Sequence, residues 1–129
     1  MPKKRVLVVE DEESLLKLEI ILLTVKGYEV AGVSTGSEAL EKLSKESFDL
    51  VLLDIMLPDI DGYEVCRRIK EHPRHSGLPV VMLTAKKSAE DKERATTCGA
   101  DDYLTKPFKS AMIIEVIERL LSGSKRVKH

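Results

Sequence analysis

Acidic residues, a threonine and a lysine stand at the ends of strand-like segments in this chain. Glu10 and Asp11 follow the first such segment, Asp54 the third, Thr84 the fourth and Lys106 the fifth. In an open α/β sheet the carboxyl ends of the strands border the binding crevice. Three carboxylates crowded together at neutral pH repel one another, so a cation is needed to keep all three ionised. Mg²⁺ suits that position because it prefers oxygen ligands and is commonly shared with a phosphate.

Together these groups suit the transfer of a phosphoryl group. Lys106 supplies a positive charge and Thr84 a hydroxyl donor, and both can stabilise charge on a phosphoryl group during transfer. Asp54 is the expected nucleophile, because a carboxylate can form an aspartyl phosphate. Each residue alone has a plainer interpretation, as a helix or turn cap, a strand-end hydroxyl or a turn lysine. Their combination at successive strand ends favours chemistry.

The elements that position these residues alternate along the chain. Short apolar runs at 6–9, 50–53 and 80–83 predict strands of a sheet covered on both faces, with weaker strands at 28–33 and 101–105. Helical spacing of apolar residues follows each strand. Five strand–helix alternations with short connections predict right-handed crossovers and a parallel α/β sheet with helices on both faces.

Caps and stops predict where the helices begin and end. Gly27 is expected to stop the first helix, Thr35–Glu38 has the form of a capping box, and Asp61 can cap the third helix. Ser88 can cap the fourth. Ser110 or Lys109 is expected to begin the last helix. Because the residue preceding Ser110 is a lysine, Ser110 is expected to cap in its place and shift the helix start by one residue.

Two helices differ in the apolar surface that they offer. The first carries Leu16, Ile20 and Leu23 at helical spacing, flanked by further apolar residues at 15, 18, 22 and 25. The fourth offers only small candidates for burial, which are Ala89, Ala95 and Cys98. Little free energy should therefore fix the position of the fourth helix, which suits an element that moves.

Composition and charge limit the class of protein. The 129 residues, 43% hydrophobic and 33% charged, fit one soluble globular domain, expected over residues 1–121 with a polar tail or linker at 122–129. A net charge of -1 predicts no direct binding of nucleic acid and none of membranes, and no apolar run approaches the roughly 20 residues that span a bilayer. Cys66 and Cys98 form no CxxC pair, so we expect small packing groups in a reducing cytoplasm.

Four stretches resemble the receiver domain of response regulators in two-component signal transduction. They are VVEDE at 8–12, LLDIMLPDIDG at 52–62, LTA at 83–85 and GADDYLTKPF at 99–108. The resemblance extends over about residues 4 to 121. It implies a CheY-like, flavodoxin-like (βα)5 three-layer sandwich with a five-stranded parallel sheet of order 2-1-3-4-5, present as a monomer or weak dimer.

The resemblance also implies a metal and phosphoryl site. Asp54 resembles the phospho-acceptor and a Mg²⁺ ligand, and Asp11 resembles the carboxylate that binds Mg²⁺ directly, with Glu10 assisting. Glu10 stands where the family often has Asp, so the side chain that assists the metal is longer here by one methylene. The main-chain carbonyl of Met56 resembles a further metal ligand. Lys106 resembles the lysine that pairs with a phosphoryl oxygen.

A conformational switch is the second implication of the resemblance. Thr84 resembles the hydroxyl that turns toward the phosphoryl group, and Tyr103 resembles the aromatic side chain that swings inward with it. The peptide bond between Lys106 and Pro107 is expected to be cis. The fourth-helix to fifth-helix face would then bind a downstream target or output domain differently in the two states.

The expected function is therefore a phospho-accepting switch and not an enzyme. A histidine kinase or histidine phosphotransfer protein would donate the phosphoryl group from a phosphohistidine in a Mg²⁺-dependent reaction. The main alternative is a degenerate receiver that acts as a phosphorylation-independent interaction module. Two others are a phosphatase of the haloacid dehalogenase type, which needs a second Asp where Met56 stands, and a flavodoxin, which needs a Ser/Thr/Gly-rich phosphate loop.

Overall fold

The structure, a computed structural model, describes residues 3–84, 89–106 and 109–122, and the side chains of all of these except residues 89–92. Within these residues strands and helices alternate five times. The strands are β1 (Arg5–Val9), β2 (Glu29–Val33), β3 (Leu50–Asp54), β4 (Val80–Thr84) and β5 (Asp102–Thr105). The helices are α1 (Glu13–Val25), α2 (Gly36–Lys45), α3 (Gly62–Glu71), α4 (Ala89–Thr97) and α5 (Ser110–Leu121).

The five strands form one parallel sheet of order β2-β1-β3-β4-β5, as predicted. Val9 of β1 pairs with Leu53 of β3. The next residues along the chain, Glu10 and Asp54, therefore lie side by side at the ends of neighbouring strands. The sequence order of strands reverses at this β1–β3 pair, which is where ligands bind in open α/β sheets. The register thus brings the predicted site residues to one edge.

Alternate strand residues pack against different helix layers. One core cluster joins Leu7, Val51 and Leu53 to buried residues of α2 and α3, such as Ala39 and Val65. The other joins strand residues of the opposite face to α1 and α5 through residues that include Leu23, Ile113 and Ile117. Full burial of each large aliphatic side chain contributes roughly 1.5–3 kcal/mol, so both faces of the sheet must be covered. The predicted three-layer sandwich is confirmed.

Most predicted helix ends are confirmed by their hydrogen bonds. Gly27 has φ 99°, the left-handed conformation that a glycine stop adopts. The Asp61 side chain accepts from the Glu64 N–H at 2.9 Å. Thr35 likewise accepts from the Glu38 N–H at 3.1 Å, and the Glu38 carboxylate accepts from the Ser34 N–H at 3.1 Å.

The predicted Ser110 cap of α5 is wrong, although α5 begins at Ser110, one of the two predicted first residues. Lys109, not Ser110, occupies the N-cap position, and it makes no side-chain capping hydrogen bond. A lysine ammonium has only donors and cannot accept from the free N–H groups of a helix start. The Ser88 cap, the bond before Pro107 and residues 123–129 of the predicted tail lie outside the described residues.

The buried face of α1 differs from the predicted apolar stripe. Leu23 is buried as predicted, but Leu18 is 59% exposed and Val25 is also exposed. Glu19 is only 2% exposed, because it lies three residues after Leu16 and four before Leu23, on the face turned to the sheet. No helix of the described ranges combines the length and apolar character needed to cross a bilayer.

Candidate functional site

Three carboxylates meet at the carboxyl ends of β1 and β3. Glu10, Asp11 and Asp54 each place one oxygen within 4.8 Å of the others. Glu10 is 1% exposed and Asp54 is 4% exposed, whereas Asp11 is open to solvent. Strand register explains the meeting, since β1 and β3 are hydrogen-bonded neighbours that end together. The predicted acidic cluster is therefore present, with one side accessible from outside.

Lys106 reaches this cluster from β5. Its Nζ lies 3.3 Å from Glu10 Oε1 and 3.7 Å from Asp54 Oδ1. The Lys106 N–H donates to the Thr84 carbonyl oxygen at 2.6 Å, which fixes the end of β5 beside the end of β4. The lysine thus lies near both buried carboxylates, as the sequence predicts.

The cluster carries more negative charge than Lys106 alone neutralises. Burial and the neighbouring Asp54 raise the pKa of Glu10, while the Glu12 N–H and Lys106 act in the opposite direction. The Glu12 N–H donates to Glu10 Oε2 at 3.2 Å. A hard divalent cation with oxygen ligands fits this set of residues, because it would supply the missing positive charge on the solvent-open side.

Thr84, Met56 and Tyr103 lie around the cluster at different distances. Thr84 is fully buried at the end of β4, the strand next to Asp54. The Met56 N–H makes a long hydrogen bond of 3.4 Å to Asp54 Oδ1, and its side chain is 58% exposed. Tyr103 pairs with Met82, two residues before Thr84, which is about 7 Å along the strand. Its ring packs half-buried against the core cluster on the α2–α3 face.

Gly62 lets α3 begin directly against the end of β3. Its N–H donates to the Ile55 carbonyl oxygen at 2.8 Å. A Cβ at position 62 would lie 2.6 Å from Ile55 Cα and would also contact the Asp54 carbonyl oxygen. Both contacts are backbone atoms that cannot yield without moving Asp54. The glycine therefore belongs to the construction of the site.

We predict that Gly62→Ala destabilises the fold and disturbs the acidic cluster. The clash with two backbone atoms should lower the free energy of unfolding by about 2–4 kcal/mol, measured by urea denaturation. Gly77→Ala is the matched control, because a Cβ there has no atom within 4 Å. A Gly62→Ala variant as stable as Gly77→Ala would contradict the close approach of position 62 to the backbone of Asp54 and Ile55.

Glu19 is a charged residue near the site that sequence reasoning missed. Neither carboxylate oxygen has a hydrogen-bond partner among the residues that the structure describes. Burial, followed by the nearby charge of Glu10, raises the pKa of Glu19 to about 8. Glu19 and Lys106 both line a cavity between α1 and α5. The spacing of Glu19 relative to Leu16 and Leu23 was the available signal.

The sequence matches one protein family over most of its length. The family model described as the response regulator receiver domain matches residues 6–118. The chain is 42% identical over 121 residues to the alkaline phosphatase synthesis transcriptional regulatory protein PhoP of Bacillus subtilis (strain 168), covering 94% of this chain and 50% of PhoP. It is 38% identical over 121 residues to the phosphate regulon transcriptional regulatory protein PhoB of Rhizobium meliloti (strain 1021), covering 94% of this chain and 53% of PhoB. The chain thus spans about half the length of the curated relatives it matches.

Solved structures match the fold as well. The signal receiver domain of a signal transduction histidine kinase from Syntrophus aciditrophicus has a TM-score of 0.89 and 37% identity, covering 97% of this chain and 95% of that one. The receiver domain of the sensor histidine kinase PA1611 from Pseudomonas aeruginosa PAO1, with a magnesium ion coordinated in its active site cleft, has a TM-score of 0.87 and 30% identity, covering 94% and 99%. With this fold, this acidic cluster and a family model matched over most of its length, the chain belongs to the response regulator receiver domain family.

Proposed function

We propose that this domain is the phospho-accepting switch of a two-component phosphorelay, in which Asp54 takes a phosphoryl group from a phosphohistidine in a Mg²⁺-dependent reaction. The observation that carries the proposal is the meeting of Glu10, Asp11 and Asp54 oxygens within 4.8 Å, with Lys106 beside them. Such a cluster is costly to hold unless a cation and a phosphoryl group use it.

Each residue has a defined part in the proposed reaction. An Asp54 carboxylate oxygen attacks the phosphorus, the bond from phosphorus to the imidazole nitrogen breaks, and the histidine leaves. Lys106 and the Thr84 hydroxyl stabilise the oxygens of the group being transferred. Glu10, Asp11, Asp54 and the Met56 carbonyl would hold Mg²⁺, which when bound supplies charge neutralisation to the phosphoryl oxygens. The magnesium ion in the cleft of the PA1611 receiver domain supports this assignment.

The proposed output is a shift between two conformations. Thr84 and Tyr103 would adopt inward positions in the phosphorylated state, because the phosphoryl group makes contacts with them in only that state. The face formed by α4, β5 and α5 would then bind its downstream target or output domain differently. The donor would be a histidine kinase or histidine phosphotransfer protein, and the domain would promote only its own phosphorylation and dephosphorylation.

The alternative functions lack support in the site. A degenerate receiver need not keep Asp11, Asp54 and Lys106 together, yet all three are present and close. A phosphatase of the haloacid dehalogenase type would need a general acid at position 56, and methionine cannot supply a proton.

The proposal is tested with phosphoramidate, which carries the same kind of phosphorus–nitrogen bond as phosphohistidine. In Mg²⁺ we expect a single phosphoryl adduct by intact mass, lost on treatment with hydroxylamine because acyl phosphates react with it. Removal of Mg²⁺ with EDTA should prevent the adduct. No adduct in Mg²⁺, or an adduct that resists hydroxylamine, would overturn the proposal.

We further predict a phosphoryl group that is lost slowly. Met56 offers no carboxylate or amide to orient a hydrolytic water beside Asp54, so the half-life should be minutes or longer. Intact mass followed over time after removal of the donor measures it. Met56→Glu, which restores an acceptor at an exposed position, should shorten the half-life. A wild-type half-life of seconds would contradict the prediction.

A further inference from the structure

The two cysteines of the chain lie side by side in the structure although they are far apart in the sequence. Cys66 is on α3, and Cys98 lies in the turn that follows α4. The Cys66 thiol donates to the Cys98 carbonyl oxygen at 3.5 Å, and the Cys98 thiol donates to the Ala95 carbonyl oxygen at 3.1 Å. No disulfide joins them, so both thiols are free. Both cysteines pack in the core cluster on the α2–α3 face, as the sequence predicts.

The turn that carries Cys98 is held against α3 by Lys70. Lys70, one turn after Cys66 on α3, donates from Nζ to Asp101 Oδ2 and to the Leu78 carbonyl oxygen, both at 2.7 Å. Gly99, with φ 94°, lies so close to Lys70 that a Cβ there would be 3.0 Å from Lys70 Cγ. These contacts hold the turn that carries Cys98 beside α3, where the Cys66 thiol already reaches the Cys98 main chain.

The two thiols differ in access and in reactivity. Cys98 is half-buried and lines an open groove between α3 and α4, together with Arg67 and Arg94, whereas Cys66 is fully buried. The neighbouring Cys66 thiol and the Ala100 N–H lower the pKa of Cys98. The neighbouring Cys98 thiol and burial raise the pKa of Cys66. A small oxidant would therefore meet Cys98 first, in its more nucleophilic form.

We propose that Cys98 and Cys66 form a peroxide-sensitive dithiol that closes to an intramolecular disulfide between the α4–β5 turn and α3. The Cys98 thiolate attacks one oxygen of hydrogen peroxide, the O–O bond breaks, and Cys98 becomes a sulfenic acid as hydroxide leaves and takes a proton. Cys66 sulfur then attacks the sulfenic sulfur, the S–O bond breaks, and the Cys66 proton leaves with the oxygen as water. Overall, two thiols lose two electrons to one peroxide, which yields two waters.

The disulfide would tie down an element with few other anchors. Of the described α4 side chains, only Ala95 is fully buried. A covalent bond at the end of α4 would limit its local opening, and backbone hydrogen exchange over residues 93–98 should slow at least about tenfold on oxidation. This modification does not depend on phosphorylation of Asp54 and would occur in Asp54→Asn as well.

The test is thiol and mass analysis of the full chain after treatment with equimolar hydrogen peroxide. We expect both thiols to be lost together, a mass decrease of about 2 Da, one cross-linked peptide containing residues 66 and 98, and full recovery with dithiothreitol. In Cys98→Ser the buried Cys66 thiol should survive the same treatment. In Cys66→Ala, Cys98 should form a sulfenic acid that dimedone traps, without a cross-link.

The wild-type result alone can overturn the proposal. Two intact thiols after treatment, over-oxidation of Cys98 beside an intact Cys66, or a disulfide between two chains would each do so. If Cys66→Ala or Cys98→Ser shows no cooperative thermal transition, the variant is not folded. The cross-link and the hydrogen exchange of the wild-type protein then test the proposal on their own. Equally fast loss of Cys66 in a folded Cys98→Ser variant would also refute the assigned order of attack.

Discussion

Replacing Asp54 by asparagine is expected to abolish labelling by acetyl phosphate in Mg²⁺, with a fall in rate of at least about 1,000-fold. An amide oxygen is a poor nucleophile and cannot form the acyl phosphate. Asp54 is 4% exposed at the end of β3, and the change removes one negative charge from the cluster that it forms with Glu10 and Asp11. The variant should therefore fold at least as stably as the wild type. Intact mass after a fixed time with the donor measures the loss.

Asp49→Asn is the matched control for that experiment. Asp49 precedes the other end of the same strand, where its carboxylate accepts from the Arg5 N–H at 2.7 Å, far from the acidic cluster. This variant should label at the wild-type rate. Equal labelling of Asp54→Asn and Asp49→Asn would place the acceptor elsewhere in the chain.

Glu19→Leu is expected to stabilise the domain by about 2–4 kcal/mol at pH 9. The wild-type carboxylate is buried, and neither oxygen has a partner in the described part of the chain. Leucine at the same position on α1 would face the apolar residues that line the cavity with it, such as Leu22 and Ile113. Urea denaturation of both proteins at several pH values measures the difference.

The pH dependence of that difference has a definite sign. The pKa of Glu19 in the folded state is about 8, above its ordinary value of 4.5, so the folded state holds the proton more tightly. Between about pH 4.5 and pH 8 the wild type therefore loses stability as pH rises, and the loss is complete above the folded value. Glu19→Leu should lack this component, so the stability gap should be small at pH 4.5 and largest above pH 8.

Glu115→Leu serves as the control for a lost surface charge. Glu115 is exposed in the middle of α5, so its replacement should change stability by less than about 0.5 kcal/mol at every pH. A Glu19→Leu variant with the same flat and small effect would show that Glu19 is not buried as a charged group.

The burial of Glu19 is a feature that could not be predicted from residue types alone. Strand runs, helix caps and the positions of Glu10, Asp11, Asp54 and Lys106 are local patterns, and a parallel sheet turns them into one site because all its strands end at one edge. The buried face of α1 is set instead by how the helix packs on the sheet. Leu18 on the exposed face and Glu19 on the buried one reverse what residue type alone predicts.

Contacts between distant segments were equally hard to foresee. The contact of the Cys66 thiol with the Cys98 carbonyl oxygen depends on how the α4–β5 turn packs on α3, through Lys70 and Asp101, and no spacing rule encodes it. The expected Ser110 cap of α5 was wrong for a local reason, because the backbone places Lys109 at the N-cap although its side chain cannot accept a hydrogen bond. The roles of Thr84, Tyr103 and the Met56 carbonyl stay predictions, because they concern the metal-bound and phosphorylated states.

The most direct test of the convergent acidic site is the location of the phosphoryl group in the wild-type chain. After acetyl phosphate treatment, borohydride reduction converts a phosphorylated aspartate to homoserine, which peptide mass spectrometry can place. We predict homoserine at position 54 in Mg²⁺ and almost none in EDTA, because the carboxylates of Glu10, Asp11 and Asp54 need a cation to accept another anion. Homoserine at another aspartate, or an equal yield at position 54 in EDTA, would contradict this account.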